Sequence, residues 1–333
     1  MPISPNTDNY VLGKGRLFFN PLVNGAHTGE MALGNAPSLT FSVAIEKLDH
    51  YSSQSGLRAK DKTVVTQVTP TMSFSLDEIN SENLNLLVMG NKTNSSQLAG
   101  QVALTTLTSG TPAEGIYYET GKRNIGIYKL VYSGVTSGPF DDGETITGSV
   151  STDTAVVRRV VAGSNLLYLT TFSGSTPYFQ AGETITGGTS STTATISTVP
   201  YFDDADAVVT DAAGTVFYDV GDDFILNSPA GLIGIAEGSD ITAANCEYTI
   251  AYPTVTYTTV TGLANTSLEG MVRFVSDNPE GNQMELRCWK VSLQPDGDTA
   301  FIGDDWATLG FTGEILKDQT SHPTAPYMQI LVY

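Results

Sequence analysis

Cysteine, histidine and basic side chains are all scarce in this 333-residue chain. Its two cysteines, Cys246 and Cys288, give neither a metal-ligand spacing nor a disulfide framework, and they read as buried free thiols of a reducing compartment. Three histidines, His27, His50 and His322, stand in separate segments with no serine or cysteine motif beside them. GxSxG, HExxH, a phosphate-binding glycine loop and paired CxxC are all missing. The expectation is a non-enzyme with no catalytic residue, no metal and no cofactor. With 16 Lys and Arg against 35 Asp and Glu, the net charge is −19. Such a surface repels phosphates, which argues against tight DNA or RNA binding but not against nucleic acid passing nearby. No apolar run approaches the length of a membrane span. The opening MPISPNTDNYVLGKG lacks the charged start and apolar core of a secretory signal, so a soluble cytoplasmic product is expected.

Helical periodicity is also scarce, whereas Thr, Ser, Val and Gly abound; the fold class expected is all-β with many turns. The stretch Pro37 to Gly90 organises the rest. Leu39, Phe41, Val43 and Ile45 alternate with polar residues, and the alternation resumes at Val64, Val68, Pro70, Met72, Phe74 and Leu76. Between these half-buried strands, Leu48 to Lys62 has few large apolar side chains and reads as a long polar loop. Pro70, which has no N–H for a ladder, marks an edge or a bulge. DEINSENLNLLVMG then reads as a short helix, capped by Asn80 or Ser81, with Leu84, Leu87 and Val88 on one face and Gly90 at its end.

Elsewhere, residues 1–13 read as a flexible arm, GRLFFN as a first strand and Asn91 to Gly100 as a polar loop. FDDGETITGSVSTDTAVV begins at Phe140 and FQAGETITGGTSSTTATI at Phe179, so GETITG recurs 39 residues on. This fixed offset marks duplicated β-hairpins, with Arg158 to Phe172 as a further hairpin between them. We take 126–206 as an inserted β-hairpin domain within a host domain of residues 1–125 and 207–333. Near the end, Trp289, Val291 and Leu293 share one strand face and Met284, Leu286 and Cys288 the other, a pattern of two-sided burial.

Acidic clusters at Asp203-Asp204-Ala205-Asp206, Asp222-Asp223, Asp296-Gly297-Asp298 and Asp304-Asp305 offer a glycosidase carboxylate pair or a calcium site. Each is also ordinary turn chemistry, because Asp side chains bond their own backbone. Tyr117-Tyr118, Phe172 and Phe179 offer a sugar-stacking face, or simply hairpin pairs and core.

Three segments carry a family resemblance: GRLFFN, then LGNAPSLTFSVAIEKLDHYSSQSGLRAKDKTVVTQVTPTMSFSLDEINSENLNLLVMG, then VRFVSDNPEGNQMELRCWKVSLQPDGDTAFIGDDWATLGFTGEILKD. HYSSQSGLRAKDK with SFSLDEINSENL, and SDNPEGN with KVSLQPDGD, are the most specific. Together they resemble the tail tube (major tail) proteins of long-tailed bacteriophages. The resemblance implies a β-sandwich or barrel-like fold with one flanking helix, assembled as stacked hexameric rings in the virion tail. It further implies tape-measure and tail-tip or terminator partners, and genomic double-stranded DNA passing through an acidic lumen without specific binding. The long loop would pack on a neighbouring subunit, with His50, Tyr51, Arg58, Lys60 and Lys62 as contact residues. Residues 1–62 hold six basic against five acidic side chains, so most of the acidity lies downstream and opposite charges could draw subunits together. The other classes weighed are a receptor- or carbohydrate-binding module carried by the GETITG insertion, and a hydrolase using Asp203 or Asp223.

Overall fold

A computed structural model of the chain describes residues 7–54, 56–173 and 178–333. The structure is mostly β, and it divides into two compact units, Met1–Asn94 with Thr258–Tyr333, and Ser95–Tyr257. The first six residues of the expected N-terminal arm lie outside the described residues, and Thr7–Asn9 forms a short 3-10 turn.

In the first unit, nine antiparallel strands make one hydrogen-bonded sheet. Its order is Ala26–His27, Gly15–Val23, Leu268–Ser276, Met284–Pro295, Leu309–Ile315, Ala59–Leu76 and Ser38–Ser52, with Met328–Val332 and Met31–Ala32 as side branches. Alternation supplies the core: Leu17 and Phe19, Met72, Phe74 and Leu76, and Leu309, Phe311 and Ile315 bury their side chains together. Phe74 and Phe311 stack with ring centroids 5.2 Å apart across a directly paired register. The strand Met284–Pro295 departs from the expected two-faced pattern. Gly270 pairs with Val291 and Val272 with Cys288, so an extra residue is accommodated between them as a bulge. The bulge turns Cys288, Val291 and Leu293 into one core, while Trp289 stacks on the His322 ring at 3.8 Å.

The helix Ser81–Leu87 forms where expected, and of the expected face Leu87 packs on the core, but the fully buried residues are others. Asn83 and Leu86 are its buried residues, and the Asn83 amide donates to the carbonyls of Leu33 (3.0 Å) and Glu78 (2.8 Å). Three residues' spacing selects this face because Asn83 ties the helix to the backbone it packs on. Asn80 is the N-cap, its Oδ1 accepting the Asn83 N–H at 2.8 Å. Met89, not Gly90, takes the left-handed conformation at the C-terminus (φ 46°), and Gly90 N–H reaches Asn85 O at 2.9 Å. Replacing Asn80 by alanine is expected to cost about 1 kcal/mol, read as a lower denaturation midpoint at unchanged slope.

The second unit is larger than the expected insertion of 126–206, because 95–125 and 207–257 fold with it rather than with the sheet above. The reason is a separate core: Ile125, Val209, Tyr218, Phe224, Ile233, Ile235, Cys246 and Ile250 pack together. All but Ile125 and Cys246 come from a four-stranded sheet that includes Glu247–Tyr252 and Gly100–Thr106 and a three-stranded sheet built on Leu232–Ile235. Asn91–Gln97, expected as loop, is a polar strand paired with Val255–Thr261.

The rest of this unit is a closed six-stranded barrel spanning Ile127–Asp203. The repeats account for its closure. Thr145–Gly148 and Thr184–Gly187 pair antiparallel with each other, Ile146 opposite Gly187 and Gly148 opposite Ile185. Phe140 and Phe179, and Ile146 and Ile185, occupy corresponding core positions. Each motif glutamate crosses to the other repeat's turn. Glu144 accepts from Thr189 N–H and Ser190 N–H, both at 3.1 Å, and from the Ser190 hydroxyl at 2.9 Å. Glu183 accepts from Val150 N–H (3.0 Å), Ser151 N–H (2.9 Å) and the Ser151 hydroxyl (3.0 Å). Gly148 and Gly187 leave room for these carboxylates, since a Cβ there would sit 2.7 Å and 2.5 Å from them. GETITG is thus a self-complementary clasp.

Candidate functional site

The hairpin Ser38–Ser52/Ala59–Leu76 is longer than the sheet that supports it. Leu309–Ile315 pairs with its second strand only from Leu76 back to Thr71. From Pro70 to Ala59 the hairpin is therefore a two-stranded arm, twelve residues in Ala59–Pro70 against ten in Val43–Ser52, about 35 Å long. Pro70 sits at the first position past the supporting strand, where a missing N–H breaks no ladder bond. On the other side, Ser38–Ser52 is the last strand of the sheet, and its outer edge is unpaired among the described residues.

The row that begins in the core with Phe74 and Met72 continues outward along the arm. Leu39 pairs with Phe74, Phe41 with Met72, Val43 with Pro70 and Ile45 with Val68, so these residues share one face. Leu39 still touches the core. Phe41, Val43, Ile45 and Val68, expected to be half-buried strand residues, are 39% to 52% exposed. Periodicity was legible for them, but the end of the supporting strand was not.

The expected long loop is mostly strand. Leu48 pairs with Val64, Asp49 with Thr63, His50 with Lys62, Tyr51 with Lys60 and Ser52 with Ala59. Cross-strand polar contacts replace apolar ones here. Asp49 accepts from Lys60 Nζ at 2.7 Å and from the Thr63 hydroxyl at 2.8 Å; Lys60 and then Thr63 hold its carboxyl below the usual range. His50 Nδ1 lies 2.6 Å from Asp61 Oδ1. The Arg58 guanidinium lies over the Tyr51 ring at 5.8 Å. All five expected contact residues, His50, Tyr51, Arg58, Lys60 and Lys62, therefore gather at the distal end of the arm. Lys60 and His50 have carboxylate partners within it. Arg58 and Lys62 make no ion pair among the described residues.

Two of the acidic clusters resolve into local structure. Lys129 Nζ sits between Asp203 Oδ2 (2.7 Å) and Asp206 Oδ2 (2.8 Å), and the Tyr168 hydroxyl donates to Asp206 at 2.7 Å. Burial pushes the Lys129 ammonium toward neutrality, but hydrogen bonds to the two carboxylates outweigh it and raise its pKa. A lysine thus stands at the acidic cluster that offers a calcium site in sequence, and no cluster of three or more His, Cys, Asp or Glu among the described residues is arranged to hold a metal. Asp223 accepts the backbone N–H groups of Asp219 (2.8 Å) and Asp240 (2.9 Å), as turn chemistry does. The four aromatics do not assemble into one stacking face. Phe179 is core, Phe172 stacks on Tyr178 at 4.4 Å, and Tyr117 and Tyr118 belong to a different sheet.

No helix among the described residues is long and apolar enough to cross a membrane. No curated protein matches the chain. A family match covers residues 10–131 and 172–330; it includes the arm and the second GETITG copy and omits the first. Spanning most of the sequence, that match places the chain in the family described as protein of unknown function UCP028589.

Proposed function

We propose that this protein is a structural subunit that self-assembles into stacked hexameric rings forming the tail tube of a long-tailed bacteriophage. The observation that carries the reading is the arm. A two-stranded ribbon is marginal by itself in water, and this one exposes a row of large apolar side chains beside an unpaired edge. A neighbouring copy supplies both missing contacts: backbone partners for the edge and cover for Phe41, Val43, Ile45 and Val68. Burying four half-exposed side chains contributes roughly 1 kcal/mol apiece, repeated at every subunit of a ring. The resemblance of GRLFFN, HYSSQSGLRAKDK and SDNPEGN to tail tube proteins supports the same reading and supplies the hexamer and the location in the virion tail. Tape-measure and tail-tip or terminator proteins are the partners it proposes. A net charge of −19 suits a conduit through which DNA slides without sticking.

Electron microscopy of the purified full-length protein over a concentration series tests this. Hollow tubes or rings of one diameter are the expected result. Protein that stays dispersed at high concentration, even with a tail-tip initiator added, would overturn it.

A further inference from the structure

The same unit carries a second exposed apolar surface at the opposite end of the sheet. Residues 296–308 join Met284–Pro295 to Leu309–Ile315 without regular structure. Within this loop Phe301, Ile302 and Trp306 are 73%, 96% and 95% exposed. Asp296, Asp298, Asp304 and Asp305 surround them, with no basic residue in the loop. None of the four makes an ion pair among the described residues. An exposed tryptophan flanked by phenylalanine and isoleucine has the composition of a binding anchor.

Position along the strands decides what it meets. Leu309 pairs with Leu76, so the loop adjoins the Leu76 end of Ala59–Leu76. The arm tip lies at the Ala59 end of that same strand, about 55 Å away at the rise of an extended chain. The two surfaces cannot meet within one copy. They are chemically matched: the tip exposes Leu48, Tyr51 and Val64 beside Arg58 and Lys62, and the loop exposes its aromatics beside four aspartates. Matched surfaces at opposite ends of one molecule give a head-to-tail contact that propagates along the strand direction.

We propose that the acidic loop 296–308 of one copy docks, through Trp306, Ile302 and Phe301, on the basic arm tip of the next. The proposal rests on the tube reading above and names the two faces that stack one copy on another. Apolar anchors supply the affinity, and the opposite charges set orientation and encounter rate.

Engineered thiols report the contact directly. Cys246 and Cys288 are fully buried, and burial pushes their thiols up to about 11 and about 12, so they stay out of the reaction. Gly56 in the arm turn and Gly303 in the loop both have open space around an added Cβ. Oxidation of assembled G56C/G303C is expected to give a ladder of covalent multimers, and each single variant none. Trp306→Ala is expected to raise the concentration needed for assembly at least about tenfold. Asp304→Lys/Asp305→Lys should impair assembly, and adding Arg58→Asp/Lys62→Asp should restore it. Assembly by Trp306→Ala and the loop charge variants equal to wild type, with no ladder, overturns the docking proposal and leaves the tube reading standing. Dimers from G303C alone also overturn it, since they mean loop meets loop. Wild-type protein that never assembles removes the reading beneath both.

Discussion

Glu144→Ala is expected to destabilise the barrel by about 3–5 kcal/mol, a large part of the 5–15 kcal/mol that holds a typical domain folded. The side chain is 4% exposed and accepts from Asp141 N–H at 2.8 Å as well as from the Thr189 and Ser190 turn. Alanine removes the acceptor and leaves those donors enclosed without a partner, which costs more than the bonds themselves contribute. Glutamine is expected to cost less than alanine but still more than 1 kcal/mol, because its NH2 group faces N–H donors. Glu183→Ala should match Glu144→Ala, since Gln180 repeats the contact of Asp141 39 residues later, and Val150 and Ser151 those of Thr189 and Ser190 39 residues earlier. The double variant should cost less than the sum, because both carboxylates clamp one shared strand pair.

A pH signature goes with it. Burial alone would raise the Glu144 and Glu183 carboxyls, but the hydrogen bonds from the opposing turns outweigh it and hold both below 4.5. A depressed folded-state value means the stabilisation is present above the unfolded value and is lost as pH falls through the folded one. Wild-type barrel stability should therefore drop as pH falls below about 4.5, and the alanine variants should show a shallower dependence. Chemical denaturation at neutral pH and at a series of acid pH values measures both effects. The exposed neighbour Thr145→Ala, expected within about 0.5 kcal/mol of wild type, is the control. If Glu144→Ala unfolds at the wild-type midpoint, the clasp is not what closes the barrel.

That clasp was half legible. The repeat offset and the glycine-bounded hairpins could be read from spacing, because turn chemistry and alternation are local. The exchange of Glu144 and Glu183 between repeats could not, because it depends on which two strands lie side by side. The arm shows the converse failure. Leu48 to Lys62 read as loop because strand signals rest on large apolar residues, yet Asp49 with Lys60 and Thr63, and His50 with Asp61, hold a ladder without them. In the helix, Leu84, Leu87 and Val88 made the obvious apolar face, but the tie from Asn83 to Leu33 and Glu78 turned Leu86 inward, with Leu87 beside it at the edge of the core. Each miss has one cause: sequence reports which side chains prefer burial, and topology decides where there is something to be buried against.

The arm gives the second large effect, on assembly rather than stability. Ile45→Glu should leave the isolated subunit nearly as stable as wild type, within about 1 kcal/mol, because the side chain is already 52% exposed. In a ring the same carboxylate would be enclosed opposite Val68 against a neighbour. Enclosing an unpaired charge costs several kcal/mol, and the cost recurs at every subunit, so assembly should fall by more than about a hundredfold in critical concentration. Ile45→Val, which keeps the row apolar, should assemble like wild type. Ala44→Glu reverses the face: Ala44 pairs with Thr69 in a row of Thr40, Ser42 and Glu46 that is already polar. Sedimentation and electron microscopy of the three variants, with circular dichroism to confirm folding, separate the outcomes. Loss in Ile45→Glu with assembly retained in Ala44→Glu identifies the apolar row as the contact and the polar row as a face left to water. If Ile45→Glu forms tubes at the wild-type concentration, the row is not an interface, and a free arm would then have to be stable as a two-stranded ribbon in water.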